Sequence, residues 1–224
     1  MTDTSPLGLR HGTVKVVPSD PSWSQAYALL AADLAAALGG LASDLEHVGS
    51  TSVPGLPAKP IIDIAALLVP GVDPAEVAQA VAPLGYGYRG DTGDQGGLLY
   101  VLEPADAPGH AVAHLHGIAP GDVQWERYLE LRDLLRKDET ARDEYARLKH
   151  GLAARHGDDR TAYTSAKSTF IDGLLGGSVA AARARRASDG PGPRPLEEPG
   201  LAKASADRVG SAAEPQGEVE IDPV

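Results

Sequence analysis

The sequence predicts an α+β domain, with a mixed α/β first half and a helical second half. Three observations carry this expectation. Short apolar or β-branched runs bounded by Gly, Pro and Asp recur up to Ile118 and read as strands. Beyond Asp122, apolar positions return at helical spacing in three successive segments. A chain of 224 residues that is 42% hydrophobic is long enough to bury one core without covalent help.

The elements follow in order. Residues 1–12 read as a flexible leader, and Thr13–Val17 (TVKVV) as a strand. After the PSDPSW turn, Trp23, Tyr27, Leu30, Leu34 and Leu38 mark one face of a helix, which Gly39-Gly40 stops. Asp44–Val48 is a strand candidate, and the apolar run Ile61–Val69 suits a central strand. Asp73-Pro74-Ala75-Glu76 is a helix start: Asp73 caps, Pro74 takes the first helical position and Glu76 completes a capping box. A glycine-rich loop then separates Tyr86 and its neighbours from a strand at Leu98–Glu103. In a strand at Ala111–Ile118, His114 and His116 share one face with Val112, while Ala113 and Leu115 take the other. Helices are expected at about 122–137, 141–155 and 160–175, the last ended by Gly176-Gly177. The domain is placed at residues 13–178. Residues 179–224, rich in Pro, Gly, Ser and charge, are expected to be disordered.

Composition excludes several functions. The net charge of −11 makes nucleic acid a poor default partner. The absence of cysteine removes disulfides, thiolate catalysis and cysteine-bound zinc. The N-terminus shows no basic region followed by an apolar stretch, and no uninterrupted apolar run approaches the ~18 residues of a membrane span. A cytoplasmic protein without a membrane partner is expected.

The most distinctive segment is EHVGSTSVPGLPAKPIIDI, Glu46–Ile64. Gly49 allows a close backbone approach to an anion, and Ser50, Thr51 and Ser52 add hydroxyl donors. A tight turn uses the same residues, and the P-loop pattern is absent. Lys59 can neutralise a phosphate or simply face solvent. Asp63 stands between Ile62 and Ile64 in an apolar strand, where a carboxylate needs a partner or a metal. If Ile62 and Ile64 face the core, Asp63 points to the opposite face. His114 and His116 can bind a metal, transfer a proton or serve structure. His47, Glu46, Arg89 and Lys167 are further candidates for the same cleft.

Taken together, these blocks resemble the GrpB family, a group of bacterial proteins placed with the nucleotidyltransferase-like folds. The resemblance runs through VKVVPSDPSW (14–23), the Glu46–Ile64 segment, GYGYRG (85–90), HLH (114–116), WERYLELRDLLR (125–136), YARLKHGLA (145–153) and DDRTAYTSAKSTFI (158–171), and so covers about residues 13–175. It implies a mixed sheet flanked by helices, a Gly49-Ser50 turn that holds nucleotide phosphates, and Asp63 as the first acidic ligand of Mg²⁺. The second acidic position of that pattern is Ala65 here, and the segment after Arg89 lacks an expected arginine. His114 and His116 stand where a third ligand is expected, with His116 a candidate metal ligand beside Asp63. The implied activity is Mg²⁺-dependent transfer from a nucleoside triphosphate to a small-molecule acceptor, with Asp63, His114 and His116 catalytic and Gly49, Ser50, Thr51, Ser52 and Lys59 at the phosphates. The alternative is a non-catalytic nucleotide- or small-molecule-binding protein. A similar module is attached to dephospho-coenzyme A kinase in some bacteria, which links this alternative to coenzyme A metabolism.

Overall fold

The structure, a computed structural model, describes residues 7–90, 97–157 and 159–188. A five-stranded sheet of order β2-β3-β7-β5-β4 forms its centre. The strands are β2 (Ala42–Val48), β3 (Ile62–Leu68), β4 (Tyr86–Tyr88), β5 (Leu98–Leu102) and β7 (Ala113–Ile118). Only β3 and β7 run parallel; the other neighbours are antiparallel. The parallel pair requires a crossover, which α2 (Pro74–Val81), β4 and β5 supply. A separate two-stranded ribbon pairs β1 (Leu9–Arg10) with β6 (His110–Ala111).

Side-chain alternation divides β3 cleanly. Ile62, Ile64, Ala66 and Leu68 enter the main core with Ala113 and Leu115 of β7. That face is covered by Trp23, Leu34 and Leu38 of α1 (Ser22–Leu38) and by Val77 and Val81 of α2. On the other face, Ala65 and Ile118 lie beneath Trp125, Tyr128 and Leu129 of α3 (Val123–Lys137). Then α4 (Glu139–Arg155) and α5 (Arg160–Ser188) pack on α3, forming a second core with Val53 and Leu56 from the loop after β2. Asp63 therefore faces the helical layer, as alternation with Ile62 and Ile64 requires.

Local signals account for the boundaries. The Asp73 capping box forms in full, with the Asp73 side chain accepting from Ala75 N and Glu76 reaching back to Asp73 N. Asp122 and Asp138 cap α3 and α4 more simply, each accepting from one first-turn N–H, of Gln124 and Ala141.

Other expectations differ from the fold. The strand at Thr13–Val17 is reduced to one antiparallel bridge, Val17 with Ala58. Val14 instead packs on Leu152 and Tyr163 in the helical layer, and its N–H donates to the Gly157 carbonyl. Within the expected leader, Leu9 and Arg10 form β1; residues 1–6 lie outside the described residues. The final helix does not stop at Gly176-Gly177 but runs to Ser188. Glycine in a helix interior costs about 1 kcal/mol, and the alanines and arginines that follow are strong helix formers. The rest of the expected disordered tail, residues 189–224, and most of the glycine-rich loop, 91–96, lie outside the described residues.

The stretch Ser22–Leu41 has the length and mean hydropathy, 1.2, of a membrane span, which the sequence reading did not anticipate. In the fold Trp23, Leu34 and Leu38 are buried, whereas Ala28, Leu29, Ala32, Ala35 and Ala36 face outward. Its hydropathy comes from leucines and alanines together, and one face of the helix lies on the main core.

Candidate functional site

A cleft opens between the β3–β7 face and the helical layer. Its floor is built by strand register. Asp63 lies opposite His114 across the parallel pair, and His116 is two residues further along β7 on the same face. Consequently His114 Nδ1 donates to Asp63 Oδ1 at 3.1 Å, and His116 Nε2 approaches the same oxygen at 3.4 Å. The ring of His116 also meets Tyr128, whose hydroxyl lies 3.3 Å from Nδ1. Asp63, His114 and His116 retain 28%, 16% and 14% of their side-chain exposure, so the cluster is reachable from the cleft. Burial works against the Asp63 charge. The hydrogen bonds from His114 and His116 outweigh it and hold the carboxyl well below the usual carboxylate range.

The turn after β2 abuts this carboxylate. Gly49 has φ 69°, and a Cβ there would overlap Asp63 Oδ2 and stand 3.0 Å from its Cγ. Glycine is required on both counts, and the turn stays open to the Asp63 side chain. Two arginines of α3 fix it in place. Arg132 reaches Glu46 Oε2 at 2.6 Å and the His47 carbonyl at 3.2 Å, while Arg136 donates twice to the Ser52 carbonyl at 2.8 and 3.1 Å.

The predicted hydroxyl donors separate here. Ser50 faces the cleft and hydrogen-bonds Tyr145. The Thr51 hydroxyl meets His47 Nε2 at 3.1 Å, although the residue still lines the cleft. Ser52 donates to the Gly49 carbonyl at 2.7 Å and does not line it. The structure thus gathers Gly49, Ser50, Thr51, Lys59, Asp63, His114 and His116 around one cavity and leaves Ser52 to shape the turn. Of the further candidates, Lys167 lines the cavity, His47 is buried against Tyr27 with ring centroids 4.5 Å apart, and Arg89 pairs with Glu103 at a neighbouring cavity.

Sequence reasoning named Lys167 as a candidate but missed Lys149, and with it the extent of the opposite wall. Lys149 of α4 and Lys167 of α5 reach toward the cleft beside Lys59. The ammonium groups of Lys59 and Lys167 lie 4.7 and 5.2 Å from the Tyr163 ring centre, and that of Lys149 lies 4.7 Å from the Tyr145 ring. Lys149 is almost fully buried, and its ammonium donates to the Pro57 carbonyl. Burial, then the neighbouring Lys167, lowers its pKa well below the ordinary lysine value. Among the described residues, neither Lys149 nor Lys167 has a carboxylate within ion-pair distance. In a chain of net charge −11, Lys59, Lys149 and Lys167 give this wall a local concentration of basic side chains. A signal was present in the sequence: Tyr145 and Lys149, and Tyr163 and Lys167, are i,i+4 pairs whose lysines fall on helix faces otherwise chosen for packing.

The second acidic position, Ala65, is fully buried against Val48 and Ile118 under α3. It does not line the cleft. One carboxylate with two imidazoles also fits Mg²⁺ poorly, since that ion takes oxygen donors and retains water.

Comparisons with known proteins agree with this architecture. Residues 13–176 match the family model described as GrpB protein. The UPF0157 protein PA4798 of Pseudomonas aeruginosa is 39% identical over 172 residues, covering 76% of this chain and 69% of that protein. The UPF0157 protein BH1888 of Halalkalibacterium halodurans is 32% identical over 172 residues, covering 74% and 82%. The crystal structure of the conserved protein GrpB from Enterococcus faecalis is similar with a TM-score of 0.58 and 26% identity, covering 72% of this chain and 99% of that one.

Proposed function

The chain belongs to the GrpB family, and from that premise we propose that its cleft binds a nucleoside triphosphate and transfers the nucleotidyl group to a small-molecule acceptor. One observation carries the reading: the Gly49-Ser50 turn, the Asp63 cluster and the three lysines Lys59, Lys149 and Lys167 line a single cavity. Polyphosphate needs backbone access, positive charge and a polar reacting centre within a few ångströms, and the cavity supplies all three.

In the proposed reaction an acceptor hydroxyl or amine attacks the α-phosphorus. The new bond to phosphorus forms as the bond to the β-phosphate bridging oxygen breaks, pyrophosphate leaves, and the acceptor proton passes to water. The charge of Lys59 and Lys167 stabilises the departing pyrophosphate. The Gly49-Ser50 turn supports the phosphates, while Asp63, His114 and His116 position the reacting centre. No part of this assignment requires Mg²⁺, for which the donor set is poorly suited.

A second reading, a nucleotide-binding protein without transfer chemistry, is favoured by Ala65, which removes the second carboxylate of a two-metal centre. Thermal-shift titrations with ATP, GTP, CTP and UTP, each with a panel of divalent ions, separate the readings. At least one nucleotide raises Tm, and Lys167→Gln weakens its binding tenfold or more. Pyrophosphate release with an acceptor, lost in Asp63→Asn, supports transfer. Binding without release across an acceptor panel supports the second reading, and no shift with any nucleotide overturns both.

A further inference from the structure

We propose that Asp63, His114 and His116 form a three-ligand site for a first-row transition-metal ion of the imidazole-preferring class, typified by Zn²⁺ and Co²⁺. This inference stands whether or not a nucleotide binds. The three donor atoms lie within 4.8 Å of one another. Two of the separations, 3.1 and 3.4 Å, match the edge of a coordination polyhedron. With bonds of about 2.0–2.2 Å, neighbouring ligands lie about 3.0–3.5 Å apart. Imidazole selects ions of this class over Mg²⁺, and two histidines with one carboxylate leave positions open for water or substrate.

The surroundings provide independent support. A metal-bound histidine normally gives its other ring N–H to a fixed acceptor. His116 presents Nε2 to Asp63 and Nδ1 to the Tyr128 hydroxyl at 3.3 Å. That hydroxyl can donate to a bare Nδ1 or accept from a protonated one, so Tyr128 suits His116 with or without a metal on Nε2. Gly49 lets the backbone turn approach Asp63 Oδ2 closely, where any Cβ would overlap it, so the carboxylate is held in place beside the histidines. Both strands hold their ligands in register, and exposure toward the cleft gives an ion a path of entry.

The full chain, free of any affinity tag, would be titrated with Zn²⁺, Co²⁺ and Mg²⁺ separately, in the absence of nucleotide. Calorimetry gives the affinity and stoichiometry, and visible absorption reports the ligand field of Co²⁺. One Zn²⁺ or Co²⁺ per chain is expected, bound at least a hundredfold more tightly than Mg²⁺. His116→Gln should abolish the Co²⁺ absorption, and Tyr128→Phe should weaken binding about tenfold or more through lost orientation. Circular dichroism establishes that each variant is folded; should His116→Gln not fold, His114→Gln or Tyr128→Phe decides. Zn²⁺ binding unchanged in the folded variants would mean adventitious surface histidines and overturn the proposal. Equal affinity for Mg²⁺, or no binding of Zn²⁺ at millimolar concentration, would overturn it equally. Failure of nucleotide binding alone leaves this readout intact, and failure of metal binding leaves the nucleotide titration intact.

Discussion

Among individual residues, His47 couples the turn to solution pH. It is buried beneath Tyr27 and bonded to Thr51. Burial, opposed by Asp63 but aided by Arg136 and Arg132, lowers its pKa from the ordinary 6.5 to about 4. The unfolded chain therefore holds more protons on this residue between those values, and stability falls as pH drops through the window. The contribution is fully present above pH 6.5 and is lost toward pH 4, a change of about 3 kcal/mol for a buried group. Asp63 and Glu103, both lowered, begin to weaken the fold only near and below the ordinary carboxylate range. His47→Gln retains a polar group but does not titrate. Its urea midpoint should change less than that of the wild type between about pH 6.5 and pH 4.5; parallel curves would remove His47 from the account. Neighbouring Gly49 illustrates what was legible one residue at a time. Its need for a close approach could be read from the sequence, but the group that approaches, the Asp63 carboxylate, became visible only through the pairing of Val48 with Asp63.

Elements set the site by register and by facing layers, and these two contributions differ in how far sequence reveals them. Alternation along β3 and β7 placed Asp63, His114 and His116 on faces away from Ile64 and Leu115, and the fold follows that pattern. Their convergence depends on β3 and β7 being parallel neighbours, a long-range choice that periodicity cannot express. The helices were legible as helices, but α4 and α5 looked like packing elements, because Tyr145, Leu148, Leu152, Tyr163 and Phe170 dominate their faces. The misread strand at Thr13–Val17 has a similar cause: Val14 finds its partners on α4 and α5. Lys149 is the test of the helical wall. Its lowered folded pKa means that the unfolded chain binds more protons between that value and about 10.4, so its contribution to stability rises with pH across this window and falls as pH is lowered. Lys149→Met removes that term. The variant should gain stability relative to wild type as pH is lowered from about 9 to 7, while phosphate and nucleotide affinity decrease at both values. Equal pH slopes in urea denaturation, with unchanged affinity, would show that Lys149 only fills space.

At the scale of the whole molecule, two cores share one sheet but only one of them holds the cleft. Leu34 and Leu56 are both fully buried, Leu34 in the core beneath α1 and α2, Leu56 in the helical core with Leu135, Tyr145 and Ile171. Leu56 sits between the Gly49 turn and Pro57, whose carbonyl receives the Lys149 ammonium. It therefore joins the Gly49-Ser50 turn to the lysine wall, whereas Leu34 is separated from the cleft by the thickness of the sheet. Leu→Ala at either site should cost about 2–5 kcal/mol, because each leaves a cavity in a closed core. Their effects on function should diverge. Leu56→Ala releases the loop that aligns Lys149 with Ser50, so nucleotide affinity should fall together with stability. Leu34→Ala should lower the unfolding midpoint while leaving affinity close to wild type, provided binding is measured well below that midpoint. Urea denaturation and calorimetric nucleotide titration on the same two variants make the comparison. Equal losses of affinity would show that the site depends on global stability rather than on the link between the turn and the helical wall. Divergence would locate the functional coupling in the Leu56–Pro57–Lys149 connection, which ties a loop with a sequence-legible composition to helices whose role emerges only from the fold.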